Sequence, residues 1–308
     1  MSSGKDIYLY IGAHKTASTT VRRLLKGCDG VLATRGVKLV LRDTIVSSSF
    51  FRHLTQVISG KAPPEAAAVS AADLAELRGF VAGPQSRVLM TSEDMFKRLP
   101  LGKFYDNIGL GLRLIQQLLP EDRVHVVFYT RRQAPYVESC YLQLVHLGRS
   151  LSFSKFIQKE LPTHLQWNRV CDEITAALGP GRLIVKPFEI IRDLGGDGFF
   201  HDFAESVGIP DPKSLPLDQA VLDGKRANRS YSDVAMRMAL IAAPVIREQD
   251  NKRLRSFLQE HFSTETYPRP QLFSPQQIAQ MTALYAKDNA ALFAQYMPQY
   301  DGAALGYF

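Results

Sequence analysis

The apolar positions of the chain form two kinds of pattern. Short apolar runs at 7–11, 87–90, 124–129 and 183–185 predict four β-strands. Between these runs, apolar residues recur three and four positions apart, which predicts amphipathic helices. Strands that alternate with helices are typical of a parallel sheet with both faces covered. We therefore expect an α/β fold, with a P-loop-type parallel β-sheet flanked by helices.

The same periodicity locates the helices, and the final third of the chain is expected to be mostly helical. Ser70 is expected to cap one helix, because Asp73 follows three residues later. No internal repeat or clear linker interrupts the pattern, so residues 1–308 are expected to form a single domain. Helices are predicted from Ser18, from Ser70, from Pro135, around Trp167, and over 234–245 and 278–296.

Composition and charge narrow the class of protein. The chain has 308 residues, of which 45% are hydrophobic and 22% charged, as in ordinary folded proteins. Its net charge of +7 favours an anionic partner, such as a nucleotide, an acidic polysaccharide, a nucleic acid or a membrane surface. The basic residues are dispersed and no nucleic-acid recognition module is visible, so a nucleic acid is not expected.

Cysteine spacing and hydropathy indicate the compartment. Cys28, Cys140 and Cys171 are far apart and lack metal-ligand spacing, which disfavours both a disulfide framework and a structural zinc site. The apolar run at 7–11 is too short for a signal peptide, and no run approaches the roughly 18 apolar residues of a membrane span. We expect a reduced, cytoplasmic protein.

The strongest chemical signal follows the first strand. Residues 12–20, Gly-Ala-His-Lys-Thr-Ala-Ser-Thr-Thr, lie between a predicted strand and a predicted helix. Successive backbone N–H groups and a helix N-terminus can enclose a phosphate in this geometry. A Walker A loop has a second glycine directly before its lysine, whereas His14 precedes Lys15 here. An ordinary ATPase or kinase loop is therefore a poor match.

The third predicted strand ends in cations. Thr130 is followed by Arg131 and Arg132, where a Walker B strand would carry a magnesium-binding aspartate. Together with the loop at 12–20, this predicts a nucleotide with phosphates at two separate places. The cationic strand end favours group transfer without an essential metal ion.

At these residues the sequence resembles the sulfotransferases that use 3′-phosphoadenosine 5′-phosphosulfate (PAPS), especially their bacterial and saccharide-type branch. The segment from His14 to Thr20 is similar to the family's H-K-T-G-T-T-S loop. Arg131 and Ser139, eight residues apart, fit the family's 3′-phosphate motif. Ser92-Glu93 matches a Ser-Glu pair after the second strand, and 228–230 resembles a late Asn-x-Ser element. The matches run in order from about residue 7 to 245.

The resemblance implies a role for each matching residue. It implies that Lys15 is the cation on the leaving group and that Glu93 accepts the proton of the acceptor hydroxyl. His14 is a second candidate acid or base, with a purely local hydrogen bond as the alternative. Ala17 takes the place of the usual loop glycine, so we expect a negative φ there. The remaining expected donor contacts come from Thr16, Ala17, Ser18, Thr19 and Thr20 for the 5′-phosphate, from Arg131 and Ser139 for the 3′-phosphate, and from Arg226, Asn228 and Ser230.

Several neighbouring residues have a plainer interpretation as well. Arg132 could form a structural ion pair as readily as a ligand contact. Asp94, before a possible helix, is expected to be an N-cap. Phe50 and Phe51, in a predicted connecting stretch, could line an acceptor cleft, although aromatic pairs of this kind more often pack in a core.

The resemblance therefore implies a PAPS-dependent sulfotransferase that acts on an acceptor hydroxyl and requires no metal, with a saccharide as the expected acceptor. A phenol, a lipid alcohol or a peptide tyrosine stays open. The alternatives are an ATP-dependent small-molecule kinase of P-loop type, a polyanion-binding module without activity, and an inactive relative that only binds nucleotide.

Overall fold

Five parallel strands form the sheet at the centre of the protein. The computed structural model describes residues 4–96, 104–160, 165–223 and 230–308. Within these ranges the strand order is β2-β3-β1-β4-β5, and every neighbouring pair is parallel. This confirms the predicted α/β fold with a parallel sheet. The strands are β1 (Asp6–Gly12), β2 (Val37–Leu41), β3 (Arg87–Thr91), β4 (Arg123–Thr130) and β5 (Leu183–Pro187).

Helices connect the strands and make up most of the chain after β5, as predicted. In chain order they are α1 (Ser18–Gly27), α2 (Asp29–Thr34), α3 (Arg42–Ser47), α4 (Ser49–Ile58), α5 (Ala71–Val81), α6 (Ile108–Leu118), α7 (Gln133–His146), α8 (Phe153–Glu160), α9 (Trp167–Leu178), α10 (Ile191–Ser206), α11 (Gln219–Leu222), α12 (Asp233–Ala242), α13 (Asn251–His261) and α14 (Pro275–Tyr296). In the described part of the chain, no helix is both long and apolar enough to cross a membrane.

Strands β1 and β4 in the interior of the sheet are largely buried, because helices cover both faces of a parallel sheet. Ile7, Leu9 and Ile11 of β1 are almost completely buried, and β4 is similarly apolar. Helix α6 packs on α9, and α14 packs on both α9 and α7. Helix α14 is thus joined to the sheet through α9, which packs on β4 and β5.

Most predicted helix starts lie within two residues of the observed ones, whereas α14 begins at Pro275, three residues before the predicted 278. The Ser70 hydroxyl accepts a hydrogen bond from the Asp73 N–H at 3.1 Å, so α5 begins as predicted. Helix α1 begins at Ser18, and α7 begins at Gln133, two residues before the predicted Pro135. Helix α12 ends at Ala242 and not at residue 245.

Two predictions about the region between β1 and β3 are wrong. Strand β2 was not predicted, because Lys38 interrupts its short apolar run. A lysine is tolerated there because β2 lies at the edge of the sheet. The Lys38 ammonium reaches the end of α5, where the Gly79 and Ala82 carbonyls accept its hydrogen bonds at 2.8 and 2.7 Å. Phe50 and Phe51 lie in helix α4, not in a connection, and both are buried in the core.

The strand order decides where the candidate functional residues meet. Strands β3, β1 and β4 are neighbours, and all three point the same way. Because parallel strands end at one edge of a sheet, the segments that follow these three strands lie side by side. Glu93, the loop at 12–18 and Arg131 are therefore placed together at one edge.

Candidate functional site

The loop between β1 and α1 has an unusual backbone. Gly12, Lys15 and Ala17 have φ angles of 80°, 65° and 62°, all in the left-handed region. The expectation of a negative φ at Ala17 is therefore wrong. A non-glycine residue in this conformation costs about 1–2 kcal/mol. Left-handed residues interspersed along a turn direct successive N–H groups to one side, which forms a concave site for an anion.

The start of α1 adds further N–H donors to this loop. The first hydrogen bond of the helix runs from the Val21 N–H to the Ala17 carbonyl at 3.1 Å. The N–H groups of Ser18, Thr19 and Thr20 precede it and have no acceptor within the helix. An anion is stabilised at such an end by these donors and by the helix dipole.

Thr16 has a structural role in the loop. Its side chain is fully buried, and its hydroxyl donates to the Ala13 carbonyl at 2.6 Å. The Tyr10 hydroxyl lies 3.4 Å from the Thr16 carbonyl on the other side. The hydroxyl proton of Thr16 is thus used inside the loop, which limits this residue's predicted phosphate contact to its backbone.

Lys15 extends from this loop to helix α7. Its ammonium donates to Gln143 Oε1 at 3.2 Å. Burial lowers the pKa of Lys15, and the positive charges of Arg131 and Arg255 act in the same direction. A lysine with a lowered pKa gives up a proton more readily, which suits a group placed beside a leaving oxygen.

Arg131 lies at the end of β4, directly beside the loop. Its guanidinium donates to the Lys15 carbonyl at 2.6 Å and lies 5.0 Å from the centre of the Phe188 ring. The Trp167 indole N–H donates to the Arg131 carbonyl at 2.8 Å, so the buried tryptophan fixes this turn. The two predicted cations are therefore in direct contact through the loop backbone.

Helix α7 carries two residues toward the loop. Ser139 and Gln143 are four residues apart, so they share one face of the helix. Because Gln143 bonds to Lys15, Ser139 lies on the face that is turned toward the loop. Sequence reasoning predicted Ser139 and missed Gln143, although the four-residue spacing was a signal that could have found it.

Glu93 follows β3 on the other side of the loop. Its carboxylate forms an ion pair with Arg22 of α1, a partner that the sequence did not indicate. A Cβ atom placed on Gly12 would lie 3.3 Å from the Glu93 Cβ, so glycine allows this close approach. Arg22 and the glycine together hold Glu93 against the start of the loop.

Asp94 forms side-chain pairs and does not cap a helix among the described residues. Its Oδ2 accepts from Arg42 Nε at 2.7 Å, and its Oδ1 lies 3.9 Å from His14 Nε2. His14 is buried, with 6% of its surface exposed. The candidate histidine is therefore beside a carboxylate that Arg42 already holds in place.

The predicted late element is only partly described. Arg226 and Asn228, with Lys225 and Arg229, lie outside the described residues. Ser230 is exposed, and its carbonyl accepts from the Thr264 N–H at 3.1 Å. The next residue, Tyr231, packs its ring on His146 of α7 with 4.0 Å between ring centres. Ser230 therefore adjoins the same helix that carries Gln143.

Arg132, the residue after Arg131, pairs with the carboxylate of Glu189. The Arg132 N–H donates to Glu189 Oε1 at 3.0 Å, and its guanidinium Nε lies 3.7 Å from the same oxygen. Arg132 thus has the structural ion pair that was one of its two interpretations.

Over the described ranges, no group of three or more His, Cys, Asp or Glu side chains is arranged to hold a metal ion.

Comparison with known proteins gives a match at the level of the fold. No protein-family model and no curated protein sequence matches this chain. Among solved structures, the chain is similar to the crystal structure of a sulfotransferase from Alicyclobacillus acidocaldarius, with a TM-score of 0.54 and 12% sequence identity. The alignment covers 97% of each chain. The chain therefore has the fold of a sulfotransferase over nearly its whole length.

Proposed function

We propose that this protein transfers a sulfuryl group from PAPS to the hydroxyl group of an acceptor, with a saccharide as the expected acceptor. One observation carries the proposal. Two cationic side chains, Lys15 and Arg131, stand at neighbouring strand ends and are joined by the bond from Arg131 to the Lys15 carbonyl. The donor has anionic groups at two places, which this pair of cations matches. The shared fold adds independent support.

The loop and the start of α1 would hold the 5′-phosphosulfate end of the donor. The left-handed residues of the loop and the N–H groups of Ser18, Thr19 and Thr20, which have no acceptor within α1, would supply its hydrogen bonds. Arg131 and Ser139 would hold the 3′-phosphate, since a guanidinium can form two parallel bonds to a phosphate. Ser230 and the undescribed Arg226 and Asn228 are proposed to complete this side.

Transfer is an in-line displacement at sulfur. The acceptor oxygen forms a bond to sulfur while the bond to the bridging oxygen breaks, and adenosine 3′,5′-bisphosphate leaves. Negative charge develops on the bridging oxygen, so a cation positioned there stabilises the transition state. Lys15 is proposed for this role, because its ammonium extends from the loop and is held by Gln143.

The proton of the acceptor hydroxyl needs a base on the opposite side of the sulfuryl group. Glu93 is proposed as that base, and the ion pair with Arg22 directs its carboxylate. His14, beside Asp94, is the second candidate. Measuring transfer with Glu93→Gln and with His14→Phe separates the two candidates. Replacement of the base should abolish transfer, while nucleotide binding persists.

Calorimetric binding of adenosine 3′,5′-bisphosphate tests the donor assignment. We expect tight binding that is independent of magnesium and is weakened about 100-fold in Arg131→Ala, since bonds from a guanidinium to phosphate are strong. Arg123→Ala is the matched control, because Arg123 lies at the opposite end of the same strand, where it pairs with Asp6. This variant should bind like the wild type.

Two results would contradict the proposal. A preference for ATP with magnesium would favour a kinase, and unchanged affinity in Arg131→Ala would show that Arg131 does not form a second phosphate site.

Once donor binding is established, transfer of radiolabelled sulfate to neutral saccharides, phenols and lipid alcohols tests the saccharide assignment. The cytoplasmic location and the single-domain organisation belong to the same proposal. All three cysteines are buried and none forms a disulfide.

A further inference from the structure

The turn that carries Arg131 is held from behind by a residue near the end of the chain. The Tyr307 hydroxyl donates to Glu189 Oε2 at 2.7 Å and lies 3.1 Å from Thr130 Oγ1. Because its proton is used by Glu189, the tyrosine oxygen accepts from Thr130. The other oxygen of Glu189 accepts the Arg132 N–H. Tyr307 and Glu189 thus bridge the residues on both sides of Arg131.

A second set of buried bonds fixes the same segment. The side-chain amides of Gln133 and Asn289 bond to each other in both directions, at 2.9 and 3.2 Å. Asn289 also donates to the Tyr307 carbonyl at 2.9 Å. All three side chains are buried, so their hydrogen bonds have no replacement from water. Tyr307 is therefore held in one position relative to the start of α7.

The electrostatics of the turn depend on where Glu189 points. Burial lowers the pKa of Arg131, and the negative charge of Glu189 has the largest opposing effect, since it favours the charged guanidinium. Burial keeps the Tyr307 hydroxyl protonated by raising its pKa, so this group remains a donor to Glu189. While Tyr307 and the Arg132 N–H hold the Glu189 carboxylate in place, its negative charge stabilises the charged form of Arg131. A released carboxylate would compete with a phosphate for the same guanidinium.

We infer that Tyr307 is a positioning residue for the 3′-phosphate of the donor, because it holds Glu189 behind the turn at Thr130–Arg132 and so leaves the Arg131 guanidinium available. This inference rests on the proposed function. It predicts that removal of one hydroxyl, remote from the loop at 12–18, selectively weakens recognition of the 3′-phosphate.

The test compares two nucleotides that differ only in the 3′-phosphate. Dissociation constants for adenosine 3′,5′-bisphosphate and adenosine 5′-monophosphate are measured by calorimetry with the full chain. For Tyr307→Phe we expect about tenfold weaker binding of the bisphosphate and less than about a twofold change for the monophosphate. Tyr296→Phe is the matched control, because it also removes a hydroxyl that donates to a carboxylate, at 2.6 Å from Asp172. Its affinity ratio should equal that of the wild type.

Each other outcome has a definite meaning. A wild type that does not prefer the bisphosphate overturns the proposed function, and the inference with it. A wild type with that preference, together with an unchanged ratio in Tyr307→Phe, overturns the inference alone, as does equal weakening of both nucleotides. If Tyr307→Phe does not fold, Glu189→Gln keeps an acceptor for the Tyr307 hydroxyl and removes the negative charge that the inference places behind Arg131. A reduced bisphosphate preference in that variant supports the inference, and an unchanged preference overturns it.

Discussion

The loop at 12–18 and the turn at 130–133 are both candidate phosphate sites, yet they are built differently. The loop has bonds within its own segment, from Thr16 to Ala13 and from Val21 to Ala17, in addition to long-range bonds with Tyr129, Arg131 and Gln143. The turn is held by residues that are 36, 57, 156 and 177 positions away, from Trp167 to Tyr307. A local motif can therefore define part of the first site, whereas the second depends on the assembled fold. Substitutions should separate the two cases.

The largest effect is expected from the loop itself. Lys15→Ala removes the cation proposed to stabilise the leaving group, so sulfuryl transfer should fall about 100- to 1000-fold while the fold is retained. The rate is measured with a labelled donor, and circular dichroism checks the fold. Lys26→Ala, at the exposed end of α1, should retain full activity. Unchanged transfer in Lys15→Ala would exclude the proposed mechanism.

The next effect concerns the distant support of the turn. Asn289→Leu removes the donor to both Gln133 Oε1 and the Tyr307 carbonyl in a buried place, so the free energy of unfolding should fall by about 2–3 kcal/mol. Denaturant unfolding measures it. Adding Gln133→Leu should restore part of the loss, because both partners of the amide pair are then apolar. A double variant that is less stable than the sum of the single changes would contradict this.

A smaller effect is expected from acid. Burial, with the positive charges of Arg255 and Lys15, lowers the pKa of His146 to about 3. The unfolded chain therefore binds a proton near pH 6.5 that the folded protein excludes, and stability must fall as pH falls from 6.5 toward 3. Between pH 6 and 5 this residue should cost about 1 kcal/mol. His146→Phe keeps the ring contact with Tyr231 and should reduce the pH dependence by that amount, as measured by unfolding at each pH. An identical pH dependence in the variant would show that the pKa of His146 does not differ between the folded and unfolded states.

The smallest effect concerns the strain in the loop. Ala17 has a left-handed φ of 62°, so Ala17→Gly removes a steric cost but adds entropy to the unfolded chain. We expect a net gain of about 0.5–1 kcal/mol in thermal or denaturant unfolding. Ala13→Gly, in the same loop at a residue without positive φ, should be destabilising and serves as the control. A loss of stability in Ala17→Gly would show that the left-handed conformation of Ala17 does not strain the folded loop.

Features that depend on neighbouring residues could be predicted well from the sequence. Strand β1, the start of α1 at Ser18 and the cap at Ser70 follow from apolar spacing and local hydrogen bonds. Strand β2 could not be predicted in this way, because one lysine interrupts its apolar pattern and the strand is recognised only by its pairing with β3. The negative φ expected at Ala17 was wrong for a related reason, since the folded loop imposes a conformation that alanine alone disfavours.

By itself, then, the sequence determined the alternation of strands and helices, the hydroxyl-rich loop, and the cations at 15 and 131, because each is a short-range pattern. The tertiary structure decided which residues meet them: Gln143 on Lys15, Arg22 on Glu93, and Glu189 with Tyr307 behind Arg131. These partners come from separate elements, and no local periodicity records a contact that forms only when the sheet and its helices pack together.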